Sequence, residues 1–221
     1  MIINRTYFKG DIFIPNTKDD VSDVVLDTKI DIDDFISEYV RNCLDLVLGS
    51  VLSKEFCEQL NSDTENGLKA LADAKWNDLL NGKEYTIDGK TYFWRGIRFS
   101  NIPNEEPDMS FLAEYVFFYY LRYSQSNFAG VGLQRESPKN AIRVNSTAKA
   151  VTAWRKFYNR VQGDFGVGTV ISNSIGYGMV WNGDTTYRTL YQFITDMNNL
   201  VPDTYANFVP TLLVNQNNFG I

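Results

Sequence analysis

The chain has 221 residues, Lys+Arg 21 against Asp+Glu 27, a formal net charge of −6 and 44% hydrophobic residues. This length and composition supports a core without staples, and the lack of His with only two cysteines, Cys43 and Cys57, excludes Ser-His-Asp and Cys-His catalysis, His-bound metals and a four-Cys zinc site. The acidic balance argues against a general nucleic-acid binder, and 14% aromatic residues point to extensive core or interface packing.

Residues 1–30 read as an extended acidic arm, with short apolar patches at Tyr7-Phe8 and Ile12-Phe13-Ile14-Pro15 but no helical period. Between Asp11 and Asp34 there are eight Asp and only Lys18 and Lys29. Such a run is either a solvated face or a surface matched to a basic neighbour. Neither the first ten residues nor the apolar stretch from Phe111 to Leu121, which is short and contains Glu114, reads as a membrane address.

The first helix is predicted from near Asp31 to Leu48, on a stripe of Ile32, Phe35, Ile36, Tyr39, Val40, Cys43, Leu44 and Val47. Asp31 would cap it and Gly49 would stop it. Cys43 lies on that stripe and reads as a buried, reduced thiol. A short helix from Ser53 to Leu60 and a longer one from Thr64 to Leu80, ended by Gly82, follow. The period then changes: Tyr85-Thr86-Ile87, Asp88-Gly89 and Lys90-Thr91-Tyr92 read as a hairpin with a type I′ turn.

Residues 108–126 predict a third long helix, capped by Asp108 or Ser110 and apolar nearly all round. A loop through Gly130-Val131-Gly132 leads to a helix from Asn145 or Ser146 to Gln162, with Thr147, Val151, Trp154, Tyr158 and Val161 on one face and Lys149, Arg155, Lys156 and Arg160 on the other. Arg122 to Arg160 holds eight bases and one acid, Glu136, the electrical opposite of the arm. Residues 163–183 carry six Gly and read as irregular strand or loop, and a last helix is predicted from Asp184 to Leu200. The tail from Pro202 is Asn-rich, uncharged after Asp203, apolar and non-helical. Together these elements predict a mainly α chain: an antiparallel bundle of four to five helices with an inserted β-hairpin and extended N- and C-terminal arms. The divisions are 1–30, 31–162 with the hairpin insertion at 83–100, 163–201 and 202–221.

No chemical motif survives inspection. Gly163, Gly166 and Gly168 are in the wrong order and context for a dinucleotide loop. The Asp pairs lack calcium-loop spacing. No carboxylate pair is singled out for acid–base work. The expectation is a non-enzymatic protein without cofactor or metal.

Three stretches carry a resemblance. Phe35-Ile36-Ser37-Glu38-Tyr39-Val40 through Leu48-Gly49, followed by Phe56-Cys57-Glu58-Gln59-Leu60, is the first. The aromatic run Tyr115-Val116-Phe117-Phe118-Tyr119-Tyr120-Leu121-Arg122, leading to Gly130-Val131-Gly132-Leu133-Gln134-Arg135-Glu136, is the second. The helix with Lys149, Trp154 and Tyr158 is the third. Over roughly 30–162 the chain resembles the head–tail connector (adaptor, head-completion) proteins of tailed bacteriophages, especially Bacteroidetes and crAss-like phages. The Asp88-Gly89 hairpin and everything after Gln162 depart from that pattern.

The resemblance implies a virion structural protein of the portal–tail neck, assembled in the host cytoplasm. It implies a homo-oligomeric ring of about twelve subunits, closed head to tail, touching the portal protein and adjacent neck or tail rings. DNA would pass through the lumen without specific binding, and no catalytic residues or membrane are implied. On this reading Asp19, Asp20, Asp23 and Asp27 are candidate contacts to Arg155, Lys156 and Arg160 of the next subunit. Phe208, Leu212, Leu213, Val214 and Phe219 of the tail are candidates for docking on the portal or next ring, by strand addition at Thr211–Val214 or otherwise; a tail folded back on its own subunit is the competing possibility. Another tail or baseplate component, or a protein- or nucleic-acid-binding module, are the alternatives; ring formation separates the first reading from a monomer that binds DNA with a steep salt slope.

Overall fold

The computed structural model describes residues 2–14, 26–64, 67–98, 110–124, 127–129, 132–134, 147–163, 180–181 and 185–214. They are mainly helical. The six helices are α1 (Leu26–Leu48), α2 (Ser50–Gln59), α3 (Ala74–Asn81), α4 (Phe111–Ser124), α5 (Thr147–Val161) and α6 (Leu190–Leu200). None of the described helices is long and apolar enough to cross a membrane.

Helix α1 starts at Leu26, inside the stretch read as arm. No Gly or Pro lies between Leu26 and Leu48, so nothing stops the helical path short of Asp31. Its stripe is as the period requires: Ile32, Ile36, Val40, Cys43, Leu44, Val47 and Leu48 are buried. Burial pushes the Cys43 thiol well above its ordinary pKa. Gly49 (φ 83) breaks the path, and α2 begins at once with Ser53 buried inside the helix rather than capping it.

Ring contacts give the next layer. Phe35 meets Tyr120 and Tyr39 meets Tyr119, so α4 runs antiparallel along α1. Phe118 meets Trp154, and Phe111 and Tyr115 meet Phe157, so α5 runs antiparallel along α4. Ser110 caps α4 by accepting from Leu112 N at 3.1 Å, while its hydroxyl donates to Ile97 O at 2.7 Å.

The helix predicted over 64–80 is halved. Asn61 Oδ1 accepts from Asp63 N, Thr64 Oγ1 donates to Leu68 O, and Gly67 sits at φ 75. These local bonds outcompete the helix, and Leu71 is 97% exposed.

The hairpin forms as read. Strands β1 (Lys83–Ile87) and β2 (Lys90–Trp94) pair through Ile87↔Lys90, with Asp88 (φ 50) and Gly89 (φ 75) in the turn. It is not a free insertion, however. Strands β5 (Val180–Trp181) and β6 (Thr185–Tyr187) extend it to a sheet ordered β1-β2-β6-β5, with β2 and β6 parallel. Thr185–Tyr187 is therefore strand, and the last helix starts after Thr189, which forms a capping box with Gln192. Trp94 stacks on Phe193 and Tyr85 donates to Asp196 at 2.7 Å, fixing the sheet to α6. A short pair, β3 (Asn127–Ala129) with β4 (Gly132–Gln134), occupies the stretch read as loop.

Neither terminal segment, where described, is an extended arm. Residues 2–14 make two 3-10 turns and bury Ile2, Ile3, Tyr7, Phe8 and Ile14 in the common core. Residues 203–214 fold back across the helices. Both segments hold too much apolar surface to remain in water when a groove on their own chain is in reach.

Candidate interaction surfaces

Within one chain the N-terminal segment makes charge pairs of its own with α5 and α1. Lys156 Nζ donates to Asp11 Oδ2 at 2.7 Å, and this bond and charge lower the Asp11 pKa. Arg5 forms a two-point pair with Asp33, with Nε to Oδ1 at 2.8 Å. Asp19, Asp20 and Asp23 lie outside the described residues, and Asp27 is placed in the first turn of α1.

Arg155 is exposed as expected, whereas Arg160 is not on the outer face at all. It is 5% exposed and pairs with Glu114 of α4, Nη2 to Oε1 at 3.4 Å. This corrects the reading of Arg160 as an inter-subunit contact. The helix places residue 160 on the same side as Ala153, Phe157 and Val161, toward α4. Burial raises the Glu114 pKa to about 7, against the opposing pull of Arg160 and Lys156. Its second oxygen, Oε2, is buried without a hydrogen-bond partner among the described residues. No spacing motif marks this pair in the sequence; its one signal is a lone carboxylate in a helix otherwise apolar all round, which burial obliges to find a cation.

The tail is seated on its own subunit. Leu213 is 8% exposed and clasped by Gln162, its N–H donating to Oε1 at 2.6 Å and its carbonyl accepting from Nε2 at 3.4 Å. Trp154 Nε1 donates to Val214 O at 2.8 Å, Tyr191 OH to Thr211 O at 2.7 Å, and Val209 N to Leu48 O at 3.4 Å. Phe208 is half-buried against Tyr191. Leu213 and Phe208 are thus occupied by their own chain, against the docking assignment. Leu212 and Val214 do face outward, 73% and 71% exposed, as does Val209; Phe219 lies outside the described residues. Gly49 proves to be a seat as well as a stop: a Cβ there would meet Val209 Cβ and O at 3.3 Å.

A second exposed patch is aromatic. Phe35 stacks on Tyr39 at 4.2 Å and meets Tyr120 and Tyr123, and Tyr123 is 68% exposed. Asp34 and Glu38 stand exposed beside it. Such surfaces, aromatic with a charged border, suit protein contacts better than solvent.

No family model, curated protein or solved structure matches the chain.

Proposed function

We propose that the chain is a structural subunit of a bacteriophage portal–tail neck, an antiparallel bundle of four to five helices that assembles as a homo-oligomeric ring. The observation that carries this reading is the meeting of two distant stretches. Phe35–Leu60 and Tyr115–Arg122 are the segments that resemble connector proteins, and they pack on each other through Phe35, Tyr39, Tyr119 and Tyr120. A resemblance scattered by chance would have no reason to coincide with one packed unit. Exposed Tyr123, Val209, Leu212 and Val214 add apolar area that an assembled ring would cover. On this reading the partners are further copies of the chain, the portal and adjacent rings, and DNA passes without sequence-specific grip.

The test is mass spectrometry and localised cryo-EM of virions carrying the gene. The expected result is about twelve copies per particle, placed at the portal vertex. Absence of the chain from purified virions overturns the reading.

A further inference from the structure

The placement of α1 and α5 within the subunit bears on how copies meet. Helix α4 packs against both. The tail also links them: Val209 is bonded to the end of α1, and Leu213 to Gln162 just beyond α5. Helices α1 and α5 thus both border α4, and each keeps a row of exposed residues.

Those outer residues differ in sign. On α1 the exposed row is Asp34, Ser37, Glu38, Arg41 and Asn42; Arg41 is paired with Asp45 at 3.6 Å, which leaves Asp34 and Glu38 setting the charge. Beside them lie the rings of Phe35, Tyr39 and Tyr123. On α5 the exposed row is Ala148, Lys149, Thr152 and Arg155, with Lys156 at its border held by Asp11. Carboxylates edged by aromatic rings are a good receptor for guanidinium and ammonium groups. Among the described residues no ion pair joins Asp34 or Glu38 to Lys149 or Arg155. A second copy can supply that match, and repetition of such a contact is heterologous, as ring closure requires.

We propose that the acidic, aromatic-edged face of α1 in one copy seats against the basic face of α5 in the next. The inference rests on the ring reading above and names its contact. It differs from a match made by Asp19, Asp20, Asp23 and Asp27 in the carboxylates it names, Asp34 and Glu38, which stand exposed on α1.

The experiment uses the full chain and sedimentation velocity at about 20 mM and about 500 mM salt, where screening separates weak from strong charge coupling. One variant carries Asp34→Lys and Glu38→Lys, the other Lys149→Glu and Arg155→Glu. Wild type should self-associate at low salt and less at high salt. Each variant alone should associate about tenfold to a hundredfold more weakly. An equimolar mixture should regain assembly, since each variant then offers the face the other lacks. Neutral variants, Asp34→Asn with Glu38→Gln, should fall between, and a matching far-UV spectrum shows that the fold is intact. Assembly that survives both reversals, a mixture that stays apart, or a wild-type chain monomeric at low salt overturns the α1–α5 contact. Rings that persist through every reversal would leave the neck reading standing, whereas absence from virions would remove that reading whatever the chain does in solution.

Discussion

The two ends of the chain solve the same problem differently. Both are apolar, non-helical segments, and both are held by their own subunit. The N-terminal segment is held by side chains: Ile2, Ile3, Tyr7, Phe8 and Ile14 are inside, with ion pairs from Arg5 and Asp11 at the rim. The C-terminal tail is held mainly by its backbone, with Gln162, Trp154 and Tyr191 gripping main-chain N–H and C=O groups. Backbone attachment leaves side chains free to alternate, so Leu213 faces in while Leu212 and Val214 face out. The N-terminal segment is thus part of the core, and the distal tail is a strip laid over it that still shows apolar residues to a neighbour.

Removing residues 1–14 gives the largest expected effect. Five buried apolar side chains at about 1.5–3 kcal/mol each approach the whole stability of a domain, about 5–15 kcal/mol. The truncated chain should lose its cooperative melting transition in calorimetry; a transition within a few degrees of wild type would reduce the segment to a cover.

Tyr205, at the root of the tail, is the exception to backbone attachment. It is 1% exposed, lies near Trp76 and Phe193, and its hydroxyl donates to Lys75 O at 2.7 Å. Tyr205→Ala should cost about 3–5 kcal/mol in urea unfolding. A cost under about 1 kcal/mol would mean that the whole tail, not only its distal strip, is superficial.

Glu114 lies on α4, which packs against both α5 and the turn at Gly10–Ile12. Its pKa rises from 4.5 unfolded to about 7 folded, so the native state holds the proton more tightly. This contribution favours folding below pH 4.5, declines between 4.5 and 7, and is gone above. The slope amounts to at most about 3 kcal/mol, and melting points across that window should show it in wild type and not in Glu114→Gln. Equal slopes in both would assign the pH dependence elsewhere.

Gln162→Ala tests the backbone grip. It should cost about 1–3 kcal/mol and raise amide exchange at 209–214, while Leu212→Ser should stay within about 0.5 kcal/mol. Unchanged exchange would show that the clasp does not hold the strip. A small effect is also expected of Lys156→Ala. Its pair with Asp11 is solvent-exposed and should contribute under about 1 kcal/mol, read as a shift in the urea midpoint that vanishes at high salt; a larger, salt-insensitive loss would mean that the N-terminal segment depends on this pair.

Local pattern alone determined much of this protein. The stripes that became α1, α4 and α5, the Asp88-Gly89 turn and the stop at Gly49 are set by residues within a few positions of each other, so the period and the φ preference of single residues suffice. Where competition is also local but between near equals, as at 61–68, side-chain bonds from Asn61 and Thr64 defeated a helical pattern that the period favoured. The interaction surfaces were decided only by tertiary structure. Which of Arg155, Lys156 and Arg160 faces water depends on where Glu114 and Asp11 arrive, 46 and 145 positions away for their partners. Whether Leu213 docks on a neighbour or on its own chain depends on Gln162 being 51 residues off in sequence and 2.6 Å away in space. Charge and apolarity in a sequence state that a group needs a partner; burial and chain path select which one, because an unmatched polar or apolar group settles on the nearest partner that folding brings within reach.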